Sequence, residues 1–358
     1  MTIPPGPPPY GPPGPLPPYG YGYPPPPPPP KPGVIPLAPL TFSTILTGAF
    51  ATFGRYWKQL LGVTATVYGV AMLAVGAAVG IAYAAVGDLF PAVFDLPPGQ
   101  EPQWDDVRPL LVAFACVWIA GMVTALCANA VIAAACPAVI QEAVLGRPAT
   151  FGAVWRRSWA RMPAVLGTVI LTSLPMVLLV VVYVGTLVAL LLSLDGGSPV
   201  TLVITVFGGA TLAALPVVPL VLWLWVKFSL APAAAVMENQ GTVASMRRSS
   251  ALVRGSWWRV FGCLLAAGVM AAVVGGLIQQ AFSLLVSVPL ATTDFSGDDP
   301  AAVIASLVGV FAFLAVGQLI SQVVVSGFPP LITGLVYVDQ RIRKENLAPD
   351  LARAAGLA

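Results

Sequence analysis

Six stretches of the chain carry no charged residue: 59–87, 109–141, 162–194, 196–226, 260–293 and 300–338. The shortest has 29 residues, and a helix needs only about 20 to cross the hydrocarbon core of a bilayer. Apolar and polar positions do not alternate along these stretches, which excludes the strands of a β-barrel. Backbone in lipid has to satisfy its own hydrogen bonds, so each stretch is expected to be a helix. Asp195 alone separates the third and fourth, and Gly196, Gly197, Ser198 and Pro199 behind it form a turn. Pro175, Pro216 and Pro219 lie inside those two spans and predict kinks.

A different pattern precedes every second span. In residues 41–53, Phe42, Ile45, Leu46, Ala49, Phe50 and Phe53 recur at the spacing of one helix face. Phe151, Val154, Trp155 and Trp159 repeat the start of this pattern, and Val243, Met246, Val253 and Trp257 repeat it with gaps. Thr41, Thr150 and Thr242 stand at the N-cap positions. Each segment ends in an aromatic and basic cluster, and Gly62, Gly167 or Gly262 then opens a span. A helix with one apolar and one basic face settles in the headgroup layer. The expected fold is therefore all-α: a polytopic bundle of six transmembrane helices with three interfacial amphipathic helices on the cytoplasmic side.

Charge gives the sidedness. The loop at 88–108, the turn at Asp195 and the loop at 294–299 together hold nine acids and one base, Arg108. The other face takes five acids and sixteen bases. Basic loops stay in the cytoplasm, so both termini are expected there, in a plasma membrane. The unit of surface helix, span out and span back occurs three times, suggesting a three-fold hairpin repeat over 41–149, 150–241 and 242–345. Pro137 and Glu142, Pro232 and Glu238, and more loosely Pro329-Pro330 and Asp339, mark the returning spans.

Composition narrows the function. Of 358 residues, 9% are charged and none is histidine, against about 25% charged in soluble domains. Ser-His-Asp and Cys-His catalysis and His-ligated metals are excluded. Cys116, Cys127, Cys136 and Cys263 lie in apolar runs without a C-x-x-C pair and are read as packing residues. No cofactor and no nucleic acid is implied, and the chain is not expected to be an enzyme. Residues 1–40 hold 20 of the 38 prolines, including the run Pro24 to Pro30. They are expected to form a disordered cytoplasmic tail with polyproline-II stretches. That tail is either a docking ligand for a cytoplasmic protein or a solvated spacer. The membrane domain is assigned to 41–345 and a second cytoplasmic tail to 346–358.

Two groups of residues are candidates for binding. Arg156, Arg157, Arg161, Arg247, Arg248 and Arg254, with Trp155, Trp159, Trp257 and Trp258, are either interfacial anchors or contacts to phosphate and anionic lipid headgroups. Within the spans, Gln318, Gln322, Gln279, Gln280 and Asn129 are the candidate polar positions, for interhelical hydrogen bonds or for a permeation path. Ion-coupled carriers place ionisable groups at mid-membrane, and none occurs in these six stretches. Gly62, Gly69 and Gly76 recur every seven residues, and Gly76 and Gly80 form a G-x-x-x-G.

"PLAPLTFSTILTGAF", "FSLAPAAAVMENQGTVASMRRSSALVRGSWWRVFG" and "GLVYVDQRIRKENLAPDLARAAG" resemble a family of actinobacterial multi-pass membrane proteins with Pro-rich N-termini. That family is similar to the membrane domain attached to some glycerophosphoryl diester phosphodiesterases. The resemblance spans roughly residues 35–358. The hydrolase domain of those enzymes uses histidines and has no counterpart here, so the resemblance implies a membrane module without that activity. Two functions are expected from the whole: a plasma-membrane scaffold or accessory module, or a transporter or flippase for an uncharged or lipid substrate through a cleft near Pro175, Pro216 and Pro219.

Overall fold

A computed structural model describes residues 31–90, 93, 103–193, 199–292 and 300–356. The Pro-rich stretch 1–30, the turn at Asp195 and the loop with Asp294, Asp298 and Asp299 lie outside the described residues. Among the described residues the chain is helical and has no strand. Six of its helical stretches are long and apolar enough to cross a membrane, as in a multi-pass membrane protein.

The first hairpin is α1 (Phe42–Val86), a short 3-10 turn at Gly87–Leu89, and α2 (Trp104–Val144). The second is α3 (Phe151–Ser193), then α4 (Pro199–Ala214), α5 (Val217–Phe228) and α6 (Ala231–Met237) in succession. A helix of its own, α7 (Thr242–Val253), leads into the third: α8 (Trp257–Thr292), α9 (Pro300–Val325) and α10 (Phe328–Glu345). A last short helix, α11, spans Ala348–Ala354.

One of the three expected surface helices is not separate. Residues 41–53 belong to a helix that meets the first span at a kink, where Tyr56 leaves helical geometry (φ −116°, ψ 23°). Phe151 instead opens a helix of 43 residues that continues into the span. In the third unit Gly255 takes φ +79° and does separate α7 from α8. The Thr caps hold twice: Thr41 Oγ1 accepts from Thr44 N at 3.2 Å and Thr150 Oγ1 from Ala153 N at 3.4 Å. Thr242 is already inside its helix and donates instead to Ala164 O at 3.1 Å.

Proline acts unevenly. Pro137, Pro163 and Pro175 sit inside uninterrupted helices. The fourth span breaks at Leu215-Pro216 and again at Ser229-Leu230, and the sixth breaks at Ser326-Gly327, just ahead of Pro329. The second break in the fourth span is closed by α7. Ser249 donates to Lys227 O at 2.8 Å and accepts from Leu230 N at 3.2 Å, so the freed backbone groups keep partners.

The core sits at the basic end of the bundle. Ile45, Tyr56, Leu60, Val139, Ile140, Leu230, Leu331, Leu335 and Tyr337 belong to one buried cluster there. Toward the other end large apolar side chains are exposed, Leu73 at 75% and Ile81 at 72% among them, as lipid-facing positions are. Among the described residues, Cβ atoms added at Gly69, Gly76 and Gly80 would meet nothing within 4 Å, so no close helix contact is seen at the G-x-x-x-G.

Gln59, Ala164 and Arg259 each lie three residues before Gly62, Gly167 and Gly262. Gln59 Nε2 donates to Ala149 O at 2.9 Å, Ala164 O accepts from Thr242, and Arg259 donates to Leu40 O. Ala149 is the residue just ahead of the second unit, Thr242 opens the third, and Leu40 is the residue just ahead of the first, so each bond reaches a residue at or just ahead of the start of a unit. The helices α2, α6 and α10 pack on one another.

Residues 31–40 belong to this packed body rather than to a free tail. Ile35 and Leu40 are buried in the core, and Val34 N donates to Ala143 O at 3.1 Å. The backbones meet where Gly33 lies against the end of α2: a Cβ on it would sit 2.0 Å from Ala143 O. Opposite, Gly146 closes α2 at φ +72°, and Arg147 N donates to Glu142 O at 2.9 Å, the six-to-one bond of a left-handed helix stop. The C-terminal segment is also docked, since Leu347 and Leu351 rest on the core and Arg147 Nη2 holds Ala354 O at 2.8 Å.

Candidate functional site

The start of α3 carries two faces. Phe151, Trp155 and Trp159 follow at four-residue steps, and each pair of rings stacks with centroids 5.9 Å apart. Around the helix from them, Arg156, Arg157 and Arg161 line a groove of about 720 Å³. Glu142 from α2, the segment Pro148–Thr150 and Asn239 complete its wall. Arg161 Nη1 donates to Asn239 O at 3.4 Å, and Asn239 takes φ +54° at the bend between α6 and α7. Among the described residues Arg156, Arg157 and Glu142 form no ion pair.

The other three candidate arginines do not join this groove. Arg248 is engaged within the protein: its Nε and Nη2 reach Glu238 at 2.8–3.0 Å and its Nη2 reaches Glu345 Oε2 at 2.7 Å. Desolvation works against its charge, but the hydrogen bonds and charges of Glu238 and Glu345 outweigh it and its pKa is raised. Arg247 and Arg254 are exposed. Trp257 is half-buried and stacks on Phe261 with centroids 5.1 Å apart, whereas Trp258 is 78% exposed.

Two ionic hubs escaped the sequence reading. Asp339 is fully buried. Its carboxylate accepts from Leu40 N at 2.8 Å, from Arg259 Nε and Nη2 at 3.1 and 3.0 Å, and from Arg343 Nε at 2.9 Å. Both guanidiniums also donate to Leu40 O. One carboxylate and two arginines therefore hold the entry segment against α8 and α10. Glu238 is the second hub, shared by Arg248, Arg341 and the Tyr337 hydroxyl. The acids after the prolines had marked the returning spans, but their partners lie up to 299 residues away. Only Asp339–Arg343 and Arg341–Glu345, each four apart on a helix, left a local trace.

The polar positions within the spans are not brought together. Asn129, Gln280 and Gln318 are exposed, Gln279 is half-buried, and Gln322 accepts from Tyr68 at 3.5 Å. Pro216 and Pro219 face outward. The prolines that do converge are Pro137, Pro232, Pro329 and Pro330, which line one apolar cavity of about 240 Å³ with Trp225 and Phe228.

No family model matches this chain, and no curated protein or solved structure is similar to it at a significant level.

Proposed function

We propose that this protein is a plasma-membrane scaffold that holds a proline-rich arm at the cytoplasmic surface for a protein partner. The observation that carries the reading is the anchored entry segment. Residues 31–40 are built into the core and clamped at Leu40 by Asp339, Arg259 and Arg343. Anything attached ahead of residue 31 is thereby fixed to the basic end of the bundle. The segment attached there is the Pro24–Pro30 run and its tyrosines, a composition that aromatic-lined grooves bind because polyproline II loses little entropy on docking. The sixteen bases at this end support a cytoplasmic orientation. We assign it no enzymatic activity of its own. The transporter reading gains no support from Pro216, Pro219, Gln280 and Gln318, which face outward.

Deleting residues 2–30 while keeping the entry segment tests the proposal. The truncated protein is expected to keep its unfolding temperature in detergent and to lose partners recovered by cross-linking in cells. Recovery of the same partners from both forms overturns the docking role.

A further inference from the structure

Glu142 stands apart among the acids of the basic end. Glu238, Glu345, Asp339 and Asp350 each hold an arginine. Among the described residues Glu142 pairs with none, although Arg157 lines the same two cavities beside it. Arg156 and Arg157 are likewise without a carboxylate, and Arg161 has only a backbone carbonyl. Five guanidiniums elsewhere on this face, those of Arg248, Arg259, Arg341, Arg343 and Arg353, close onto carboxylates; here three line a single groove. With Glu142 counted, the groove carries a net charge of about +2, similar in size and opposite in sign to the charge that a phosphate group brings at neutral pH.

Its position adds two further contributions. The groove borders the first turns of α3, where the helix dipole favours an anion and the Ala153 and Val154 amides are already held by Thr150. The same turns carry the Trp155–Trp159 stack, a pair suited to headgroup depth, where lipid phosphates lie.

We infer that the groove formed by Arg156, Arg157, Arg161 and the start of α3 binds a phosphate-bearing anion, with Glu142 as the residue that limits its affinity. Lipid headgroups and soluble phosphate compounds share this chemistry. Sidedness alone explains basic residues at this end, but not three of them around a cavity that also holds an unpaired acid.

The test uses the full-length protein in two arms. Native mass spectrometry measures phosphatidylglycerol retained after extraction from mixed bilayers, and calorimetry measures inorganic phosphate binding in phosphatidylcholine nanodiscs. R156A/R157A is expected to weaken binding at least about tenfold in the arm that reports the natural source. Glu142→Gln removes the repelling charge and is expected to tighten it. R247A/R254A removes the same number of charges from exposed positions on and beside α7 and is expected to leave binding unchanged. Should R156A/R157A fold poorly, R156K/R157K keeps the charge but not the two-pronged geometry and is expected to show the same direction of loss. A response in the lipid arm identifies a headgroup, and one in the phosphate arm a soluble ligand. Equal losses from both arginine pairs, or no binding by the native protein in either arm, overturn the inference.

Discussion

Asp339→Asn removes one charge and almost no volume, and it isolates the clamp on the entry segment. In the native protein a carboxylate with no exposure faces two guanidiniums that are 33% and 35% exposed. Breaking a buried ion pair by neutralising one partner costs about 3–5 kcal/mol. The arginines here regain part of their hydration, which puts the expected loss at the lower end, about 3 kcal/mol, or more than a hundredfold in the folded ratio. The asparagine amide also turns an N–H toward a guanidinium, so one of the two arginines loses its acceptor. Two readouts separate local from global damage. Thermal unfolding in mild detergent, followed by size-exclusion chromatography, reports the stability. A cysteine at Ile35, in a chain whose four native cysteines are alanine, reports release of the entry segment, because Ile35 is fully buried. The variant is expected to unfold several degrees lower and to expose position 35 to maleimide well below that temperature. Asp350→Asn is the control: its pair with Arg353 is 62–69% exposed, so a change under about 0.5 kcal/mol is expected. The clamp argument fails if Asp339→Asn matches this control and position 35 stays protected.

Other outcomes follow from the same geometry. Gly33→Ala places a methyl against Ala143 O and Val144 O, and an overpacking loss of about 1–3 kcal/mol is expected, read as a lower unfolding temperature. Arg248→Ala deprives Glu238 and Glu345 of a shared partner at a half-buried site, for about 1–2 kcal/mol in the same assay. Gln318→Leu and Gln280→Leu substitute exposed positions on apolar helices and are expected to leave the unfolding temperature unchanged or raised; a clear fall means those amides have partners. For sidedness, a single cysteine at Asp298 should react with impermeant maleimide in intact cells and one at Arg247 should not; the reverse pattern inverts the topology.

How much of this was open to sequence reading depends on how far apart the interacting residues lie. Span length and apolarity are properties of contiguous residues, because each helix satisfies its own backbone in lipid. Six spans and an all-helical bundle were therefore legible, and so was the arginine-tryptophan pattern at Phe151–Arg161. Helix continuity was less so: nothing in the composition distinguishes the unbroken run from Phe151 onward from the break at Gly255, where one positive φ ends α7. Proline guided unevenly, since the kink expected at Pro216 is a break at Leu215-Pro216 while Pro175 leaves its helix intact, and the break ahead of Pro329 was not expected.

Burial of the entry segment lay beyond the sequence. Residues 31–40 share the proline-rich composition ahead of them, yet Ile35 and Leu40 are core residues, because Gly33 lets this backbone lie directly against the end of α2. The arginines divided only in three dimensions: Arg156, Arg157 and Arg161 onto a groove, Arg248 into an ion network, Arg247 and Arg254 to the surface. Hydrophobic length is written one residue after the next, so the chain alone determined what crosses the membrane. Which charge meets which partner depends on chain segments hundreds of residues apart being folded together, and only the packed bundle decided that.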